Sequence, residues 1–190
     1  ILCLLFWLLT FQNRNEKNLL LIAVTTTVSA LAIYCHQSVP TPGISYVFYA
    51  FLYLAWAILV PVSTVLSLLL VLRVFKRKIN AWFKISLCLI FLAGIGLIFL
   101  NSPYPLIFLA SLVVINYIYY ITASWKRLKG AQWAVMAGIL LTFSFGVSLD
   151  VTGTVAQRFL PVMRLLITGL FLSFPSSLVV YVAMRFKEII

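Results

Sequence analysis

From Ser45 to Leu72 the chain runs without a charged side chain, and as an α-helix that stretch would measure about 42 Å. A run of this length exceeds the roughly 30 Å hydrocarbon core of a bilayer, so a helix built from it must tilt, kink or project into water. The remaining sequence is of the same kind: 64% of its 190 residues are hydrophobic and 9% are charged. Water-soluble domains carry about a quarter charged residues, so lipid must be the solvent for most of this surface. No polar stretch is long enough for a separate soluble domain, and residues 1–190 read as a single transmembrane helical domain.

Charges and clusters of Pro, Asn and Gly cut the chain into seven apolar segments: residues 1–11, 19–35, 45–72, 85–100, 106–123, 133–149 and 165–184. The expected fold is therefore an all-α membrane protein, a seven-transmembrane-helix bundle. Its first segment would cover only about 16 Å as a helix. It opens with Ile1 and lacks both a basic leader and a small-residue cleavage site, so we expect a truncated first helix that starts upstream.

Charge fixes the expected orientation. Arg14 and Lys17; Arg73, Lys76, Arg77, Lys78 and Lys84; Lys126, Arg127 and Lys129; and Arg185 and Lys187 all fall on one side of the alternating segments. Only Arg158 and Arg164 fall on the other. Cytoplasmic connectors hold the excess of Lys and Arg, which places the N-terminus outside and the C-terminus inside. Trp82, Trp125 and Trp133 flank the proposed inner connectors and Tyr34, Tyr46 and Tyr104 the outer ends, as interfacial belts require, whereas Trp7 and Trp56 read as packing residues. The net charge of +11 lies in these short loops, so it points to headgroups and not to nucleic acid. Residues 73–84 alternate basic and apolar groups and are expected to lie along the headgroups as a helical extension, the alternative being contact with a cytosolic partner.

Ionisable groups are missing from the middle of the segments. Proton pumps, ion-coupled transporters and intramembrane hydrolases need such groups, so no catalytic residue is assigned. A retinal-type photoreceptor needs a lysine in its seventh helix, and residues 165–184 have none. Cys3, Cys35 and Cys88 are scattered within apolar segments and act as small hydrophobes, with no metal site and no cofactor implied.

The remaining candidates are sparse. Asp150, with Arg158 and Arg164 after it, reads first as an outer ion pair that orients a loop. With His36, otherwise a solvated loop histidine, these residues are the candidate outer site for a small anionic or polar ligand. Asn116, in the fifth segment, needs a partner in lipid and reads as helix glue or, alternatively, as the lining of a small cavity. Thr25, Thr26, Thr27 and Ser29 can bond back to their own helix or across to a neighbour. Gly94 with Gly96, and Ala134 with Gly138, permit close helix contacts within the bundle or between protomers. Pro61 and Pro175 each remove a helical hydrogen bond and are kink or hinge positions.

The order of features in SFPSSLVVYVAMRFKEII, residues 173–190, is Phe174 and Pro175, an apolar stretch to Tyr181, Val182 and Ala183, then Arg185, Phe186 and Lys187. Together with FQNRNEKNLLL after the first segment, it resembles the bacterial seven-transmembrane receptors with diverse intracellular signalling modules, including membrane regions of sensor histidine kinases and related phosphatases. The resemblance implies a bacterial inner membrane protein, a homodimer, an extracytoplasmic sensory region before Ile1 and a signalling domain fused after Ile190. The function expected is a sensory, signal-transducing membrane domain and not an enzyme. The alternatives are a transporter or permease component, which would need a continuous polar path, and a membrane enzyme, which would need a nucleophile and base at one depth.

Cysteine scanning checks the charge argument. In a cysteine-free background, Lys78→Cys and Lys126→Cys are expected to resist an impermeant maleimide in intact cells, and Arg158→Cys to react with it. Labelling of the first two from outside would reverse the topology.

Overall fold

The computed structural model describes residues 2–13, 16–38, 45–100, 104–153 and 160–189, which are almost wholly helical and include no β-strand. In chain order they form α1 (Leu2–Gln12), α2 (Lys17–Ser38), α3 (Tyr46–Val74), α4 (Ala81–Phe99), α5 (Tyr104–Ser124), a 3₁₀ turn (Trp125–Arg127), α6 (Gln132–Gly153) and α7 (Leu160–Ile189). Among the described residues, α2, α3, α4 and the stretch Tyr104–Arg127 are long and apolar enough to cross a membrane. The chain is thus an all-helical integral membrane protein. α1, with 11 residues, is shorter.

The helices run past the apolar segments at most of their ends, for a physical reason. Charge does not stop a helix; an alternative partner for its terminal amides does. Asn80 Oδ1 accepts the Phe83 amide at 3.0 Å, so α4 begins at Ala81, ahead of Lys84, where the apolar run alone places the start at residue 85. Ser45 Oγ caps α3 by accepting from the Phe48 amide at 3.4 Å. α7 continues through Arg185 and Lys187, whose long stems can carry their charges to water without breaking the helix.

The chain divides into two compact units, Ile1–Ala123 and Ser124–Ile190. In the first, α1 packs on α2, α2 on α3 and α3 on α4. Trp7 Nε1 donates to Thr27 Oγ1 at 3.0 Å, and the Cys3 thiol donates to the Thr26 carbonyl at 3.3 Å. Phe6, Ile22, Leu68 and Ile90 are fully buried between these helices. Thr25, Thr26 and Thr27 all donate to carbonyls one turn back, so the two readings of these hydroxyls meet in Thr27, which also accepts from Trp7.

Pro61 is buried in α3 and its ring lies on Gly94 of α4, where a Cβ would come within 2.7 Å of Pro61 Cγ. Gly96 lies similarly on Pro105 of α5. In the second unit α6 packs on α7 through Gly138, where a Cβ would overlap Ser177 Oγ. The close contacts expected of these glycines are therefore contacts between helices of one chain.

The segment 73–84 departs from the expected helical extension. α3 ends at Val74, the chain turns through residues 75–80, and α4 starts at Ala81. The stop is built from two backbone bonds, Lys76 N–H to the Arg73 carbonyl at 3.0 Å and Arg77 N–H to the Leu72 carbonyl at 2.8 Å, with Lys76 at φ 52°. This is the helix-ending motif that glycine ordinarily closes.

The Pro61 contact is testable in detergent. Gly94→Ala is expected to destabilise the protein by about 1–3 kcal/mol in reversible unfolding, because the proline ring is fixed to its own backbone and cannot rotate away. Ile95→Ala, at an exposed neighbouring position, should change stability by no more than about 0.5 kcal/mol.

Candidate functional site

Of the residues proposed for an outer site, His36 is the one whose side chain is described. His36 lies in the last turn of α2, not in a loop, and is exposed. Its ring stacks on Trp56 of α3, with centroids 5.3 Å apart and planes 25° apart. Trp56 tilts against Tyr53 at 5.7 Å, and Tyr53 stacks on Tyr49 at 6.4 Å. The Tyr53 hydroxyl donates to the Leu97 carbonyl of α4 at 2.9 Å. The histidine is thus the end of an aromatic ladder on one face of α3. Positions 49, 53 and 56 follow the i, i+4, i+7 spacing of such a face, so the ladder was legible in the sequence. The partner on α2 was not.

Asp150 is within α6 and Arg164 within α7, but their side chains lie outside the described residues, as does Arg158 altogether. The expected ion pair and the shared outer pocket therefore fall outside what is described.

Asn116 is fully buried. Its Oδ1 accepts from Ser86 Oγ of α4 at 3.0 Å, and its Nδ2 donates to the Leu112 carbonyl one turn back at 2.8 Å. Ser86 is buried too. The carboxamide and the hydroxyl thus bond to each other, and the pair cross-links α4 to α5. One residue on, Tyr117 is hydrogen-bonded to Ser67 of α3. Two successive residues of α5 thereby reach two different helices. Among the described residues, the buried Tyr120 hydroxyl has no hydrogen-bond partner.

The two prolines are placed differently. Pro61 is buried against Gly94, whereas Pro175 is half-buried in the middle of α7. On α7, residues on either side of Pro175 meet α6: Ser173 Oγ is hydrogen-bonded to Thr142 Oγ1 at 2.7 Å, and Ser177 lies against Gly138. Thr142 itself donates to the Gly138 carbonyl at 2.8 Å. The α6–α7 contact around the proline is thus made by small and hydroxylated side chains.

An open groove of about 460 Å³ lies between α4 and α5, lined by Leu92, Ala93, Gly96, Leu100, Tyr104, Pro105 and Phe108. Its lining is almost wholly apolar. Among the described residues, no three His, Cys, Asp or Glu side chains come together. No protein-family model, curated protein or solved structure matches the chain.

The Ser86–Asn116 cross-link predicts a measurable coupling. In a double-mutant cycle of Ser86→Ala and Asn116→Ala, followed by unfolding in mixed micelles, the coupling energy is expected near 0.6 kcal/mol and no higher than about 1.7 kcal/mol. Additive single effects would mean that the two side chains do not meet.

Proposed function

We propose that this chain is a membrane-embedded sensory domain, set N-out and C-in as seven spans of a bacterial inner membrane, that couples an extracytoplasmic input to a cytosolic output module carried beyond it. The observation that carries this reading is α7. At thirty residues, Leu160–Ile189, it extends for about 45 Å and passes from an apolar stretch into Arg185 and Lys187 without a break. A rod of that length exceeds the hydrocarbon core and delivers any movement within the membrane to its polar end.

Pro175 supplies the place to move. It has no N–H to donate, so the carbonyl one turn back lacks its helical partner and the local bending stiffness drops. Some fourteen residues, about 21 Å of helix, separate it from Ile189 and form the lever. The Gly138, Thr142, Ser173 and Ser177 contact lets α7 shift against α6 by exchanging one hydroxyl partner for another, with no large side chain to withdraw. An input need only stabilise one bend over another by its differential affinity for the two. By contrast, Pro61 is clamped by Gly94 and serves as a fixed kink.

The contrast gives the test. In the full-length protein, Pro175→Ala and Pro175→Leu are expected to shift the output activity several-fold while thermal unfolding of the membrane domain stays near that of the unsubstituted protein. Pro61→Ala is expected to lower stability and leave the set-point of output unchanged. Unaltered output across the Pro175 series would refute the hinge.

A further inference from the structure

The connector between α3 and α4 is fastened on one side and left cationic on the other. Arg77 donates to the Ala123 carbonyl at the C-terminal end of α5, where helix carbonyls lack internal partners. Asn80 caps α4 through Oδ1, and its Nδ2 donates to the Tyr119 hydroxyl of α5 at 3.2 Å. The Trp82 ring tilts against Tyr119 at 6.1 Å. These contacts hold the turn to α5 and decide which side chains remain outside.

Those outside are of two kinds. Lys76, Lys78 and Lys84 are exposed cations. Ile79 and Trp82 are exposed apolar groups, at 59% and 36% of their surface. No acidic residue occurs between Lys17 and Leu149, so neither α3, α4, α5 nor the connector offers these lysines a carboxylate. The amides at the start of α4 add to the positive field beside Lys84.

Lys76 is the most informative of the three. Its φ of 52° is left-handed, the position after a helix where glycine is favoured and a side chain is disfavoured. It is the one non-glycine residue with positive φ among the described residues. A cation stands where the backbone would be easier without any side chain.

We propose that the α3–α4 connector and the first turn of α4 form a docking surface for the headgroup of an anionic phospholipid. Lys76, Lys78 and Lys84 meet its phosphate, while Ile79 and Trp82 enter the interfacial layer beside it. The occupant is a lipid and not a soluble anion because the cations alternate with apolar groups at the end of two apolar spans, where headgroups already lie. A soluble ligand would leave Ile79 and Trp82 in water. The surface does not depend on which leaflet it borders.

Native mass spectrometry of the full chain in detergent, titrated with phosphatidylglycerol or phosphatidylcholine, tests this. Phosphatidylglycerol is expected to bind the more tightly. Lys78→Gln and Lys84→Gln should each weaken it by about fivefold, Lys78→Arg should retain it, and phosphatidylcholine should bind all of them alike. Lys76→Gly removes the concern that a variant merely misfolds: its melting temperature should be unchanged or higher, because the backbone is relieved, while phosphatidylglycerol affinity falls by the same factor of about five. A combined K126Q, R127Q and K129Q variant should keep the preference.

Equal binding of the two lipids would overturn the proposal. So would an undiminished preference in both Lys76→Gly and Lys78→Gln, or loss of the preference in the combined variant. Abolition of phosphatidylglycerol binding by millimolar glycerol phosphate would assign the surface to a soluble anion instead.

Discussion

Hydroxyl after hydroxyl in these helices donates to a backbone carbonyl three or four residues back: Thr10 to Phe6, Thr26 to Ile22, Thr64 to Val60, Ser111 to Ile107, Thr142 to Gly138 and Ser144 to Leu140. In a bilayer this is a requirement, because an unpaired polar group in hydrocarbon costs several kcal/mol and no water is present to take it. The consequence is that a hydroxyl already satisfied by its own helix is a weak adhesive between helices. Contacts between helices must then come from shape, at glycine and proline, or from the few polar groups with a bond to spare.

Those few are placed where adjacent helices need fixing. Thr27 has capacity left for Trp7, Asn116 for Ser86 and Ser173 for Thr142. Asn116 shows the logic most fully, because its carboxamide offers both a donor and an acceptor, one for its own helix and one for the next. Without charges at this depth, the bundle holds itself together with neutral bonds and close backbone approach. Such contacts are individually small, and they can be exchanged without exposing a buried charge.

The two prolines sit in different surroundings. Removing an N–H weakens a helix at either site. At Pro61 the ring fills the space left by a missing Cβ on α4, so flexibility is lost to packing. At Pro175 the neighbouring residues touch α6 through hydroxyls and a glycine. A similar division appears at the membrane edge. Arg77 and Asn80 are committed to α5, whereas Lys76, Lys78 and Lys84 are exposed and make no hydrogen bond or ion pair with a side chain among the described residues.

The sequence alone determined the solvent of this protein and the helical state of its segments, because hydrophobic length and charge depend on local composition, which folding does not alter. It also marked Asn116 as a residue in need of a partner and Gly94, Gly96 and Gly138 as points of close approach. Helix ends were less legible: a cut made at Lys84 missed the cap at Asn80, since a cap is a hydrogen bond and not a change in hydropathy. Partners were not legible at all. That His36 meets Trp56, that Pro61 meets Gly94 and that Asn116 meets Ser86 depend on the rotation and depth of one helix against another. In lipid the apolar faces of a helix are nearly equivalent, so hydrophobicity does not set that rotation. Only the tertiary structure decided it, through the few positions where shape or a spare hydrogen bond distinguishes one face from the rest.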